Sequence, residues 1–277
     1  MKTIIIATDY SAAASNALQY AANLAGVVNA NLVLFNVYHL SGHASNALVT
    51  PMEIDRMVLN NENHLKELAQ DTAEKYHLNV TWVSKMNDTV EELEKYVSTN
   101  GADLVVMGME SNLVEYTLFG NTTTKAIQRL KFPVLVVPND IPFKPIERIL
   151  YAYDQSCLGQ DNHLDLMKEI TSKFGAKLEV FHVETKTKDA VSMAGNEQMT
   201  SDPDSILEDV DHSYNIVENP RISEGIIQEV EAYHTDILAM VPHKVGFLES
   251  LFKGSTTRKM ALKIRVPLLV LPNLNRN

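Results

Sequence analysis

The sequence predicts an α/β protein made of two tandem units, each an open, doubly wound, mainly parallel sheet. Three observations predict it. Two stretches repeat: GNTTTKAIQRLKFPVLVVPN at 120–139 and GSTTRKMALKIRVPLLVLPN at 254–273 align without a gap, sharing Gly120/Gly254, Thr122/Thr256, Lys125/Lys259, Pro133/Pro267 and Pro138/Pro272. Each copy marks the close of one unit. Short apolar, β-branched runs alternate with segments of helical spacing, the pattern of strands buried on both faces and joined by right-handed crossovers. Finally, 277 residues, 45% of them hydrophobic and 21% charged, suffice for two domains of usual size, each with its own core.

The elements follow in order. Thr3–Thr8 (TIIIAT) is a continuous β-branched run and reads as a buried first strand. Ser11–Leu24 is Ala-rich with helical spacing, and Ser11 can cap its start. Asn31–Tyr38 is a second strand, Met52–Tyr76 a long polar helix and Val80–Val83 a third strand. Val90–Ser98 is a helix, with Asn100-Gly101 suited to its closing turn. Asp103–Gly108 is a fourth strand, Thr122–Leu130 a helix and Pro133–Val137 a fifth strand. The plan then recurs: Ile149–Tyr153 matches the first strand, with Asp154 in the place of Asp9. Lys177–Val183 matches the second, Asp236–Met240 the fourth, and Ile264–Leu271 closes the unit. Asn139–Glu147, with Pro142 and Pro145 and no periodicity, reads as the linker, and Thr185–Pro203 as an irregular connection inside the second unit.

Charge and cysteine usage bound the function. A net charge of −11 argues against nucleic acid or an anionic membrane as partner, because phosphate binding needs a basic face. The single cysteine, Cys157, rules out an intrachain disulfide and a cysteine-based zinc site, and an inert thiol is its default reading. The apolar run of MKTIIIATDY stops at Thr8-Asp9, too short for a secretory core, and no run approaches the ~20 residues that span a bilayer. A cytoplasmic location is expected. His39 and His43 stand four apart, but in a Gly-containing segment that reads as loop, so no metal is expected there.

A strand ending in Thr8-Asp9, another ending in Met107-Gly108, and Gly120-Asn121-Thr122 followed by KxxxxxxxPVLVVP together resemble the universal stress protein family. The resemblance spans both units, as domains at 1–140 and 146–277. It implies a Rossmann-like sheet of the adenine-nucleotide alpha-hydrolase type, with strand order 3-2-1-4-5. It implies ATP as ligand in the members that bind one, with phosphates on a loop G-x-x-G-(eight or nine)-G-(S/T) and the acid after strand one on the nucleoside. It also implies association through the last strand, so that the halves pair as an intramolecular pseudo-dimer, with a homodimer as a further form. Carried onto this chain, the site residues are Thr8, Asp9, Val37, Met107, Gly108, Ser111, Gly120, Asn121 and Thr122 in the first unit, and Asp154, Gly254, Ser255 and Thr256 in the second. The cofactor expected is ATP or AMP, in the first unit.

The residues agree with that location on independent grounds. In an open doubly wound sheet, ligands bind beyond the carboxyl ends of the strands where strand order reverses. A helix starting near Asn121–Thr123 offers unpaired N–H groups and a positive dipole end to a phosphate. Asp9 can accept from ribose hydroxyls and Val37 can line an adenine slot. Each has a structural competitor: Asp9 as the cap of the next helix, Thr122 and Thr123 as caps of theirs, Gly108 and Gly120 as tight turns.

Both copies also depart from the pattern. In the first, Ser111 stands where the second loop glycine belongs, and Glu110 puts a carboxylate in the phosphate loop. In the second, Val241-Pro242 replace the first glycine and its neighbour, and Tyr153 replaces Thr8; Pro has no N–H to donate. His243 and Lys244 stand nearby and read as a solvated loop. The expectations are therefore a non-catalytic stress-response protein with a weak adenine-nucleotide site in the first unit, or a scaffold of the same fold with decayed sites. A slow ATPase ranks last, since nothing in the sequence positions water or stabilises developing charge.

Overall fold

The computed structural model of the chain describes residues 1–38, 50–110, 121–129, 131–153, 163–185, 207–241 and 265–272. The chain divides into two compact units between Phe143 and Lys144.

In the first unit β1 (Thr3–Ala7), α1 (Ala12–Val28), β2 (Asn31–Tyr38), α2 (Pro51–Tyr76), β3 (Val80–Met86), α3 (Thr89–Asn100), β4 (Leu104–Met109), α4 (Asn121–Arg129) and β5 (Val134–Pro138) follow one another. The strands pair in the order β3-β2-β1-β4-β5, all parallel, as the resemblance implied. Ile4, Ile5 and Ile6 are fully buried in the centre of this sheet, which is why β1 carries no polar alternation. Ile5 lies beside Val33 on one neighbour and Val105 on the other.

Helix ends obey local chemistry. Ser11 Oγ accepts from the Ala14 N–H at 3.1 Å and caps α1. Thr50 and Glu53 form a capping box on α2, with Pro51 just inside the start. Asp88 accepts from Val90 and Glu91 and caps α3, which closes on Gly101 at φ 76°. The linker is partly tied down: the Asn16 amide donates to the Pro138 and Ile141 carbonyls at 2.7 and 2.9 Å, and Ile146 is buried.

In the second unit β6 (Arg148–Ala152), α5 (His163–Phe174), β7 (Lys177–Glu184), β8 (His212–Glu218), α6 (Ile222–Ala232), β9 (Ile237–Met240) and β10 (Leu268–Val270) give the order β8-β7-β6-β9-β10, again all parallel. The internal repeat extends to single hydrogen bonds. Asp103 Oδ2 accepts from the amides of Lys2 and Thr3 at 2.7 and 2.9 Å. Asp236 Oδ2 accepts from those of Glu147 and Arg148 at 2.8 and 2.9 Å. Each carboxylate thus clamps the start of its unit's first strand. Asp236 also holds Lys144 at 2.5 Å.

Candidate functional site

The site is built where the first unit's strand order turns. From β1 the chain passes to β2 and β3 on one side, then returns to β4 on the other, so a crevice opens past the carboxyl ends of β1 and β4.

The β1–α1 turn is held by its own side chains and by α2. Thr8 N donates to the Phe35 carbonyl at 2.9 Å, and the buried Asn36 amide donates to the Thr8 carbonyl at 2.7 Å. Thr8 Oγ1 accepts from Tyr10 N, and Asp9 Oδ1 accepts from Ser11 N at 3.0 Å. Ser11, not Asp9, is therefore the helix cap, and Asp9 Oδ2 has no partner among the described residues. Tyr10 adopts φ 64°, a conformation seldom taken by an aromatic residue. It is held there from α2: its hydroxyl donates to Asn61 Oδ1 at 3.1 Å and its ring lies 4.6 Å from that of His64. Burial pushes the Tyr10 hydroxyl up to about 12, so it remains a donor across the physiological range. Asn61 continues the network, donating to Asn36 Oδ1 and Ser84 Oγ.

The β4 side corrects one reading. Gly108 is not a tight turn: it lies inside β4, which runs on to Met109, and its φ is not in the left-handed region. Its lack of a side chain serves contact instead. A Cβ there would stand 2.5 Å from the Ala13 carbonyl group and 2.7 Å from Ala14 N, so α1 presses directly on the strand. The buried Thr123 donates from Oγ1 to the Gly108 carbonyl at 3.4 Å, while Thr122 is exposed. Glu110 is exposed, and its Oε2 accepts from the Asn139 amide at 3.1 Å.

Thr8, Asp9, Val37, Met107, Gly108 and Thr122 line one cavity of about 220 Å³. Those six expected residues are brought together. Asn121 opens α4, and its side chain lies outside the described residues. Ser111, Gly120, Asp154, Gly254, Ser255 and Thr256 lie outside the described residues. Thr123, read in the sequence as part of the helix start and as a cap, also lines the cavity, and so does Thr89, which escaped sequence reading. Thr89 is the first residue of α3, a helix that begins at the carboxyl end of β3, and the rule that placed the crevice could have pointed to it. Among the described lining residues the charged ones are Asp9 and Glu110, and none is basic. No group of three or more His, Cys, Asp or Glu among the described residues could hold a metal, and no helix there is long and apolar enough to cross a membrane.

The sequence matches the model of the universal stress protein family over residues 1–138 and again over 145–272. The chain belongs to the universal stress protein family. No functionally curated protein matches it. Among solved structures it is similar to a universal stress protein from Archaeoglobus fulgidus DSM 4304, at 19% identity, TM-score 0.73 and coverage of 98% of both chains. It is also similar to a protein from Pseudomonas aeruginosa UCBPP-PA14 described as a universal stress protein, at 15% identity, TM-score 0.58 and coverage of 98% of this chain and 93% of that one. At these identities the likeness is one of fold.

The second universal stress protein domain fills the matching strand end differently. Tyr153 takes the place of Thr8 and keeps its backbone bond, N–H to the Phe181 carbonyl at 3.0 Å. His182 takes the place of Asn36: its Nδ1 lies 3.1 Å from the Tyr153 carbonyl, which can only accept, so Nδ1 carries the proton. The Tyr153 ring packs against those of His182 and Tyr151, at 5.4 and 6.3 Å between centroids, and burial raises its hydroxyl pKa. Buried Val241 stands at the position of Gly108.

This domain also holds a buried carboxyl of its own. Glu179 on β7 is 8% exposed, and its Oε1 has no hydrogen-bond partner among the described residues. Burial, then the neighbouring Glu229 on α6, push its carboxyl up to about 7, against an opposing hydrogen bond from Asn215. Tyr233 and Arg148 stand close by, Arg148 donating to the Tyr233 carbonyl at 2.9 Å.

Proposed function

We propose that this protein is a non-catalytic stress-response protein whose first domain binds an adenine-bearing ligand of the AMP or ATP class. One observation carries the reading: six residues chosen for nucleotide chemistry line a single cavity at the topological switch point. In this reading Asp9 Oδ2, unengaged among the described residues, accepts from the ribose hydroxyls. Val37 and Ala7 flank an apolar slot for the base, and Thr122, in the first turn of α4, faces the 5′ end of the ligand. Hydrolysis needs cations to stabilise developing charge and a group to position water, and the described lining offers no cation.

Calorimetric titration of the purified protein with AMP tests this. The expected result is a single saturable site that weakens at least tenfold in Asp9→Ala, about 1.4 kcal/mol. No heat at millimolar AMP, together with no adenine nucleotide released on denaturing the purified protein, would reject the reading.

For the second domain a different reading is favoured, that of an architectural copy without a ligand. Tyr153 puts a packed aromatic ring where the first domain has a threonine, and Val241 puts a branched side chain where the first domain has none.

A further inference from the structure

The described walls of the first-domain cavity sort the adenine ligands from one another. Asp9 and Glu110 contribute carboxylates to the lining and nothing there contributes a positive charge. Glu110 is tethered, since the Asn139 side-chain amide donates to it at 3.1 Å, and Asn139 is itself fixed by its backbone N–H on the Met109 carbonyl at 2.9 Å. The nearest lysine on α4, Lys125, lies 3.5 Å from Asp88 and is not among the lining residues. The sequence supplies no substitute: from Gly108 to Thr124 there is no Lys, Arg or His, and Glu115 is a second acid. Polyphosphate sites use cations or a metal to offset the charge they gather.

We infer that this crevice takes an uncharged adenine nucleoside in preference to a polyphosphate, with Glu110 as the residue that turns the polyphosphate away. The inference rests on the proposed adenine site and shifts its preferred ligand from the nucleotides toward the nucleoside. Asp9 accepts hydroxyl donors and loses nothing by lacking a cation nearby. Glu110, at the start of the stretch that the family pattern assigns to phosphates, faces added negative charge with repulsion alone. Exposure screens that repulsion, which sets its scale at the strength of an exposed charge pair, about fivefold in affinity.

The test compares adenosine, AMP and ATP by calorimetry on the full chain in magnesium-free buffer, for the wild type and for Glu110→Gln. Adenosine is expected to bind more tightly than ATP, with AMP between. Glu110→Gln is expected to shift the adenosine-to-ATP ratio toward ATP by roughly fivefold. A salt series on the wild type gives the same answer without a variant: raising ionic strength from about 0.05 to 0.5 M should narrow the ratio. ATP binding as tightly as adenosine in the wild type would overturn the inference and leave the adenine site standing. A ratio that moves with neither Glu110→Gln nor salt would overturn the assignment to Glu110. No binding by any of the three would remove the site and the inference together.

Discussion

Single residues carry sharply different burdens in this chain. Gly108 admits no side chain, because a Cβ would sit 2.5 Å from the Ala13 backbone. Gly108→Ala should therefore cost about 1–3 kcal/mol in urea unfolding, the usual range for overpacking. Asn61 supports the β1–α1 turn from α2 through bonds to Tyr10, Asn36 and Ser84. Asn61→Leu removes the donor to Asn36 Oδ1 and leaves the Tyr10 hydroxyl only the longer contact to the residue 61 backbone carbonyl, at about 1–3 kcal/mol for the group left unsatisfied, read from urea unfolding. Glu179 makes stability depend on pH. Its carboxyl is raised from 4.5 to about 7 in the folded state, so the folded protein holds a proton that the unfolded chain releases. Stability is then full below about pH 4.5 and falls as pH rises toward 7, with no further loss from this group above it. Glu179→Gln should flatten that decline and stabilise the protein at pH 8 by on the order of 1–3 kcal/mol, read from denaturation at pH 5 and pH 8.

Among elements, the strands were the most legible, for a physical reason. A strand covered on both faces is apolar at every position, and TIIIAT, NLVLFNVY and VLVV announce themselves. β8 is different: among the described residues it pairs with β7 alone, Tyr214 and Ile216 are exposed, and no continuous apolar run marks it. Thr185–Pro203 was read only as an irregular connection, and most of it lies outside the described residues. The candidate site was legible wherever the chemistry is local, as at Thr8, Asp9 and Thr122. Gly108 is legible as a crevice residue and only its competing reading as a tight turn fails; its contact with Ala13 is not legible, because it joins residues 95 positions apart that no short-range signal connects. The paired strand clamps give a prediction at this scale. Asp236 is 7% exposed and Asp103 is exposed, although each accepts from the equivalent two backbone amides of its own unit. Asp236→Ala should cost about 2–4 kcal/mol and Asp103→Ala roughly half that, because water can replace only the exposed carboxylate. Urea titrations of the two variants under matched conditions decide it.

At the scale of the whole molecule, a duplicated domain need not mean a duplicated site. The two copies share strand order, strand clamps and the bond from strand one to strand two. They part at Thr8 and Tyr153, Asn36 and His182, Gly108 and Val241. Titration with adenosine should accordingly saturate at one ligand per chain, and Asp9→Ala should weaken that whole signal at least tenfold; a stoichiometry of two would count against an architectural second domain. The contact of Gly108 with Ala13 has a consequence for anyone who would re-tool this protein. There the floor of the crevice is backbone against backbone, so it can be neither deepened nor refilled by substitution. New specificity must be engineered at the rim, where Glu110 and Thr122 are exposed and can change without disturbing the sheet beneath.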